Sequence, residues 1–189
     1  MLILRKTWRY QKTRWQSLAN NLQMLVLDVD GVMTDGGIML QGNTDQMKRF
    51  NSQDGLGINM AHMSGLKVAI ITGRKSEVVE RRASELKIDD VYQGYQDKIL
   101  AFQFLLKEHN IQADQIAYVG DDLPDIPVMK QVGIPVAVKN ARLEVKRYAI
   151  YVTKALGGHG AVREVVEWLL DLQGTKNSII KNLIGGNHD

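Results

Sequence analysis

The chain contains no cysteine. Disulfides and thiolate metal sites are therefore excluded, and the composition suits a reducing compartment. No apolar run approaches the roughly 20 residues that a membrane-spanning helix requires, and the expected location is the cytoplasm. Met1–Leu4 is apolar, but Arg5 and Lys6 interrupt it before a signal-peptide core can form. A strong excess of one charge is missing too, since 24 Lys and Arg face 21 Asp and Glu for a net +3. That excess is too small and diffuse for a nucleic-acid footprint, so no nucleic-acid partner is expected. There is no internal repeat. Neither G-x-x-x-x-G-K-S/T nor G-x-G-x-x-G occurs, which removes the common nucleotide-binding loops. A calcium loop counted from Asp28 would place Met33 and Met39 where glycine and glutamate are needed. His62, His109, His159 and His188 stand at no metal-ligand spacing and read as structural or exposed.

What is present fits one domain. At 189 residues, 44% hydrophobic and 24% charged, the chain can bury one good core. Short β-rich apolar runs cover Met24–Val29, Lys67–Ile71, Ile116–Val119, Ile134–Val138 and Tyr148–Val152, with a weaker one near Asp90–Tyr92. Helical patterns alternate with them at Gly55–Ser64, Ser76–Leu86, Asp97–His109, Pro124–Val132, Ala141–Arg147 and Ala161–Leu172. That alternation predicts an α/β fold: a Rossmann-like three-layer sandwich around a central parallel sheet. Near-continuous apolar strands imply burial on both faces. Gly37–Leu40 and Gln46–Phe50 flank a polar turn and read as a projecting β-hairpin. The expected organisation is a leader helix over 1–23, a main domain over 24–173 and a mobile tail over 174–189. The leader carries Arg5, Lys6, Arg9, Lys12 and Arg14 among Trp8, Tyr10 and Trp15. It could lie on a membrane surface, but packing on the domain is the simpler reading.

Four features fall where strands end, the usual place for ligands in open α/β sheets. Asp28-Val29-Asp30-Gly31 closes the first strand. A strand's two-residue period sends both carboxylates to one side, and their repulsion invites a cation or a shared proton. Thr72-Gly73-Arg74 follows the next strand with a hydroxyl, a flexible backbone and a guanidinium, a natural oxyanion site. Lys98 begins a helix, where a lone lysine ordinarily faces solvent. Gly120-Asp121-Asp122-Leu123-Pro124-Asp125 follows another strand. Its carboxylates would attract a hard cation such as Mg²⁺, although one of them, Asp122, can be assigned to capping the helix that Pro124 opens.

In this order the four features resemble the motifs of the haloacid dehalogenase-like phosphatases. The resemblance implies that Asp28 attacks phosphorus, that Asp30 acts as acid and then base, and that Thr72 and Lys98 hold the phosphoryl oxygens. It implies Mg²⁺ at Asp28, the Asp30 carbonyl and Asp121, with Asp122 and Asp125 in support. The intervals Asp30–Thr72 and Lys98–Asp121 leave no room for a cap domain. A capless site is open, so the substrate is large or another subunit covers it. Asp28–Gly36, Phe50–Ile58, Ile70–Lys75 and Gly157–Glu164 further resemble capless tetrameric members acting on 3-deoxy-D-manno-octulosonate 8-phosphate, an intermediate of lipopolysaccharide synthesis. By that resemblance Asp30, Asn51, Ser52, Gln53, Asp54, Gly55, Asn59, Gly73, Arg74, Arg82 and Lys98 would line a small phosphorylated sugar acid. The Gly157–Gly160 turn would approach a neighbouring site, and the hairpin would serve assembly as a homotetramer. Gln53 and Asn59 stand where such members tend to carry basic residues. Two other readings stay open: a related nine-carbon sugar acid 9-phosphate as substrate, and a non-catalytic oligomerisation module of the same fold.

Overall fold

A computed structural model describes residues 13–41 and 45–185, apart from the side chains of 41, 45 and 46. The strands are β1 (Met24–Leu27), β2 (Met39–Gln41), β3 (Asp45–Met47), β4 (Lys67–Thr72), β5 (Asp90–Gln93), β6 (Ile116–Gly120), β7 (Ile134–Ala137) and β8 (Tyr151–Val152). The helices are α1 (residues 13–20), α2 (Ser52–Met63), α3 (Glu77–Glu85), α4 (Lys98–His109), α5 (Ile126–Met129), α6 (Leu143–Lys146), α7 (Ala161–Gln173) and α8 (Lys176–Ile184). Six strands pair in parallel in the order β5-β4-β1-β6-β7-β8, as the apolar runs lead one to expect. Parallel strands need both faces covered. Every residue of β1, β6 and β7 is buried accordingly.

The helices supply that cover. On α7, Val162, Val165, Val166, Leu169 and Leu170 recur at helical spacing and are all buried. Asn51 caps α2 by accepting from the Gln53 and Asp54 N–H groups at 2.7 and 3.4 Å. The helix therefore starts three residues earlier than its apolar pattern suggests. No cap domain interrupts the described residues. Met39 pairs with Met47 in the antiparallel β2–β3 hairpin, whose tip at 42–44 lies outside the described residues. Ile38, Met39, Leu40 and Met47 are exposed on it, Leu40 to 73%.

Three expectations need adjustment. β8 is only Tyr151–Val152, because the preceding segment is taken up by α6 and its exit turn. The tail expected to be mobile instead forms α8 as far as Ile184. Ile179 is buried, Ile180 and Leu183 pack on the core, and Lys176 reaches Glu167 and Asp171 of α7 at 3.1 and 3.0 Å. Glycine-rich flanks concealed this short amphipathic stretch in the composition. The first half of the leader lies outside the described residues. Its second half is helical, and Trp15 stands edge-on to Trp168, which also stacks on Tyr151.

Candidate active site

Beyond Leu27 the chain leaves the sheet through Asp28 and a tight turn over Val29–Met33. Asp28 and Asp30 both line one cleft, but the tight turn brings them there and not the two-residue alternation of a strand, because β1 ends at Leu27. Gly31 makes the turn possible: its φ is +93°, and a Cβ there would sit 2.1 Å from Asp121 Oδ2. The Gly31 carbonyl accepts from Asn140 Nδ2 at 3.0 Å, while Asn140 Oδ1 accepts from the Gly157 N–H at 2.7 Å. Asn140 thus ties the turn after β1 to the turn before α7.

Lys98 occupies the centre, buried where α4 begins. Its Nζ lies 2.8 Å from Asp28 Oδ1 and 2.6 Å from Asp125 Oδ1. Burial alone would lower its pKa, but the two carboxylates outweigh that and hold the amine above its ordinary value. Asp125 is saturated. Its Oδ1 also accepts the Tyr118 hydroxyl at 2.6 Å, and its Oδ2 accepts the Asp121 and Asp122 N–H groups at 2.8 and 3.1 Å. Burial next to Asp125 pushes the Tyr118 hydroxyl well above its usual range, so it stays a donor.

The two carboxyls facing this scaffold are strained electrostatically. Burial raises Asp28 to about 6, against the opposing pull of Lys98. Burial, then the Asp28 and Asp125 charges, raise Asp121 to about 8. Among the described residues Asp121 Oδ1 has no hydrogen-bond partner, although it is buried. Oxygens of Asp28, Asp121 and Asp125 all lie within 4.8 Å of one another. An orphaned oxygen among like charges fits a hard divalent cation. Since both Asp125 oxygens are occupied, Asp28 and Asp121 are the carboxylates free to hold it.

The opposite wall comes from the end of β4. Thr72 is buried there, Gly73 and Arg74 follow, and Gln96 Nε2 donates to the Gly73 carbonyl at 2.9 Å. The open cleft measures about 620 Å³ and is lined mainly by polar atoms.

A family model described as haloacid dehalogenase-like hydrolase matches residues 89–164. The 3-deoxy-D-manno-octulosonate 8-phosphate phosphatase of Escherichia coli K12 is 49% identical over 156 residues, covering 82% of this chain and 83% of that protein. The chain belongs to the haloacid dehalogenase-like phosphatases. Among solved structures, the 3-deoxy-D-manno-octulosonate 8-phosphate phosphatase of Yersinia pestis superposes with a TM-score of 0.84 at 44% identity, over 87% of this chain and 89% of that one. The corresponding enzyme of Moraxella catarrhalis, in complex with magnesium, phosphate and the free sugar acid, gives 0.86 at 38% identity over 89% and 97%.

For this haloacid dehalogenase-like chain the cleft gathers Asp28, Asp30, Thr72, Gly73, Arg74, Lys98, Asp121 and Asp122. Asp122, expected among the metal-site residues, instead turns its Oδ1 to the Leu123 N–H at 2.8 Å and caps the turn that holds Asp125. Asn51, Ser52, Gln53, Asp54, Gly55, Asn59 and Arg82 do not line the cleft of their own chain. Asp54 is buried and accepts the Arg163 and Gly160 N–H groups at 2.8 and 3.3 Å, docking α2 on the start of α7. Arg82 pairs with Glu85 at 3.1 Å and covers the Phe50 ring. Ser52, Gln53 and Asn59 face solvent. Sequence reasoning missed Lys48, which contacts Asp30, as well as Tyr118 and Asn140. A tyrosine on a wholly buried strand was a readable signal, since its hydroxyl needs a partner. Lys48 and Asn140 belong to no motif.

Proposed function

We propose that the chain is a Mg²⁺-dependent phosphatase that hydrolyses 3-deoxy-D-manno-octulosonate 8-phosphate to the free sugar acid and phosphate, serving lipopolysaccharide synthesis in the cytoplasm. The observation that carries this reading is the buried Asp28 carboxylate, tied to Lys98 and facing the unpartnered Asp121 oxygen at the floor of an open cleft. Identity to the Escherichia coli phosphatase and likeness to the Moraxella complex supply the substrate class.

Asp28 attacks phosphorus and carries the phosphoryl group as an aspartyl phosphate. Asp30 gives a proton to the departing sugar oxygen, then takes one from the water that attacks the aspartyl phosphate. The Thr72 hydroxyl and the Lys98 ammonium hold phosphoryl oxygens, with Gly73 and Arg74 completing that wall. Asp28, the Asp30 carbonyl and Asp121 hold Mg²⁺, supported by the capped turn of Asp122 and Asp125. When bound, the ion supplies positive charge opposite the transferring group.

Residues 24–173 carry the activity in this reading, and the chain assembles as a homotetramer. Three features support assembly: the cleft is open, the hairpin exposes four apolar side chains, and Ser52, Gln53 and Asn59 face outward. These outward residues, expected to touch the sugar acid, would then serve a neighbouring subunit's cleft.

The test is phosphate release from 3-deoxy-D-manno-octulosonate 8-phosphate with Mg²⁺, beside Asp28→Asn and EDTA controls and a nine-carbon sugar acid 9-phosphate. Selective turnover of the eight-carbon ester, lost in both controls, is expected. Preference for the nine-carbon ester would keep the mechanism and move the substrate, with Gln53 and Asn59 as the cause. Well-folded protein that turns over no ester would leave only the oligomerisation module.

A further inference from the structure

Lys48 is an unusual lysine. It follows β3 directly, on a hairpin whose other described side chains are largely exposed, yet its own side chain is only 3% exposed. Burying an ammonium is costly without a close counter-charge. Its partner is Asp30: Lys48 Nζ contacts Asp30 Oδ1. The second Asp30 oxygen, Oδ2, is 3.8 Å from Arg74 Nε, beyond hydrogen-bond length. The two oxygens are therefore distinguished. Oδ1 is anchored to the hairpin, and Oδ2 faces the Arg74 guanidinium of the cleft lining at ion-pair distance.

We propose that Lys48 is a positioning residue that anchors Asp30 through Oδ1, so that Oδ2 is the oxygen that exchanges protons during turnover. The inference rests on the role proposed above for Asp30. In the first half-reaction an Asp28 oxygen forms a bond to phosphorus as the bond from phosphorus to the sugar oxygen breaks. The proton on Asp30 Oδ2 passes to that oxygen, which leaves as the alcohol. In the second half-reaction, water attacks phosphorus, its proton goes to Asp30 Oδ2, and the Asp28 carboxylate is released. Oδ1 keeps lone pairs in both states of Asp30, so the Lys48 contact survives the proton's arrival and departure. Because Lys48 is rooted in β3, the placement of the hairpin is coupled to the placement of the acid.

The leaving group makes this testable. A sugar alkoxide is a poor leaving group and needs the proton, whereas 4-nitrophenolate departs without one. Hydrolysis of the aspartyl phosphate needs the base whichever ester formed it. For Lys48→Met the first turnover of the sugar ester should slow about 100-fold, the low end for a general acid. With 4-nitrophenyl phosphate the same variant should release a stoichiometric burst of 4-nitrophenolate at nearly the parent rate, followed by slow turnover. Lys48→Arg, which retains the charge, should lose less on the sugar ester and show a smaller burst contrast; it also serves if the Met variant fails to assemble. Asp30→Asn is run alongside. Should Asp30→Asn give no burst, the acid–base role itself fails. A burst in Asp30→Asn, with Lys48→Met either like the parent or slowed equally on both esters from the first turnover, overturns the Lys48 assignment alone.

Discussion

Lys98 Nζ and Asp125 Oδ1 lie 2.6 Å apart, with side chains only 6% and 1% exposed. Neither group could occupy this position alone. The Asp125 carboxylate takes two further backbone donors and the Tyr118 hydroxyl, so its removal strands several polar groups at once. Asp125→Ala is expected to cost about 3–5 kcal/mol, the penalty for breaking a buried ion pair. A urea titration checks it. A loss below about 1 kcal/mol, the worth of an exposed pair, would contradict the scaffold role.

Lys98→Met is expected to cost stability as well as catalysis, because it leaves the buried Asp28 and Asp125 carboxylates without their counter-charge. It removes the charge opposite Asp28, and by the proposed role it removes a donor to the phosphoryl group as well. Turnover should fall by about 10²–10³, as for loss of one transition-state donor. A rise in KM with unchanged kcat would show that Lys98 assists binding alone.

The raised carboxyl of Asp121 links metal, pH and stability. Its folded value is about 8 against an ordinary 3.8, so without metal the folded protein holds a proton that the unfolded chain releases. The stability from this group is present below the unfolded value and is lost as pH rises towards 8. Mg²⁺ needs the deprotonated form and competes with that proton. The rise in Tm on adding Mg²⁺ should therefore be greater at pH 8 than near pH 6. An equal or reversed difference, read by differential scanning fluorimetry, would refute the assignment of Asp121 to the metal.

Gly31→Ala places a methyl group where the Asp121 carboxylate rests, at a backbone φ of +93°. The strain should cost about 1–3 kcal/mol. Displacing Asp121 should also raise the Mg²⁺ concentration needed for half-maximal activity. An unchanged Mg²⁺ requirement would show that Asp121 can move aside without consequence.

Asp54→Ala separates a structural role from a substrate role. Two backbone donors at the start of α7 would lose their acceptor, at about 1–3 kcal/mol. KM should stay unchanged in the folded fraction. A raised KM with unaltered stability would return Asp54 to the substrate-lining set that the sequence resemblance implied.

The sequence was informative where one chemical feature forced one structural outcome. Apolar β-branched runs had to become buried parallel strands, and motifs that follow such strands had to gather at one edge of the sheet. Asp28, Asp30, Thr72, Lys98 and Asp121 were readable on those grounds together with the order of the motifs. Asp54 was not, because an acid in a helix's first turn looks the same whether it meets a ligand or another helix. α8 was hidden by its glycine-rich surroundings. Lys48 was hidden because only the tertiary path of the hairpin brings it to Asp30. Asp125 was read as support, but its saturation by four donors appears only once Tyr118 and Lys98 are placed.

β1 lies between β4 and β6, so Asp28, Thr72 and Asp121 stand together at the middle of the sheet. Ser52, Gln53 and Asn59 belong to a helix outside the cleft, and the Gly157–Gly160 turn precedes another. On the roles proposed above, the residues of the reaction and the residues free to sort one sugar from another thus sit on separate segments and are mutable independently. A lineage built on this plan can change its taste in esters by editing outer segments, without having to reinvent the reaction.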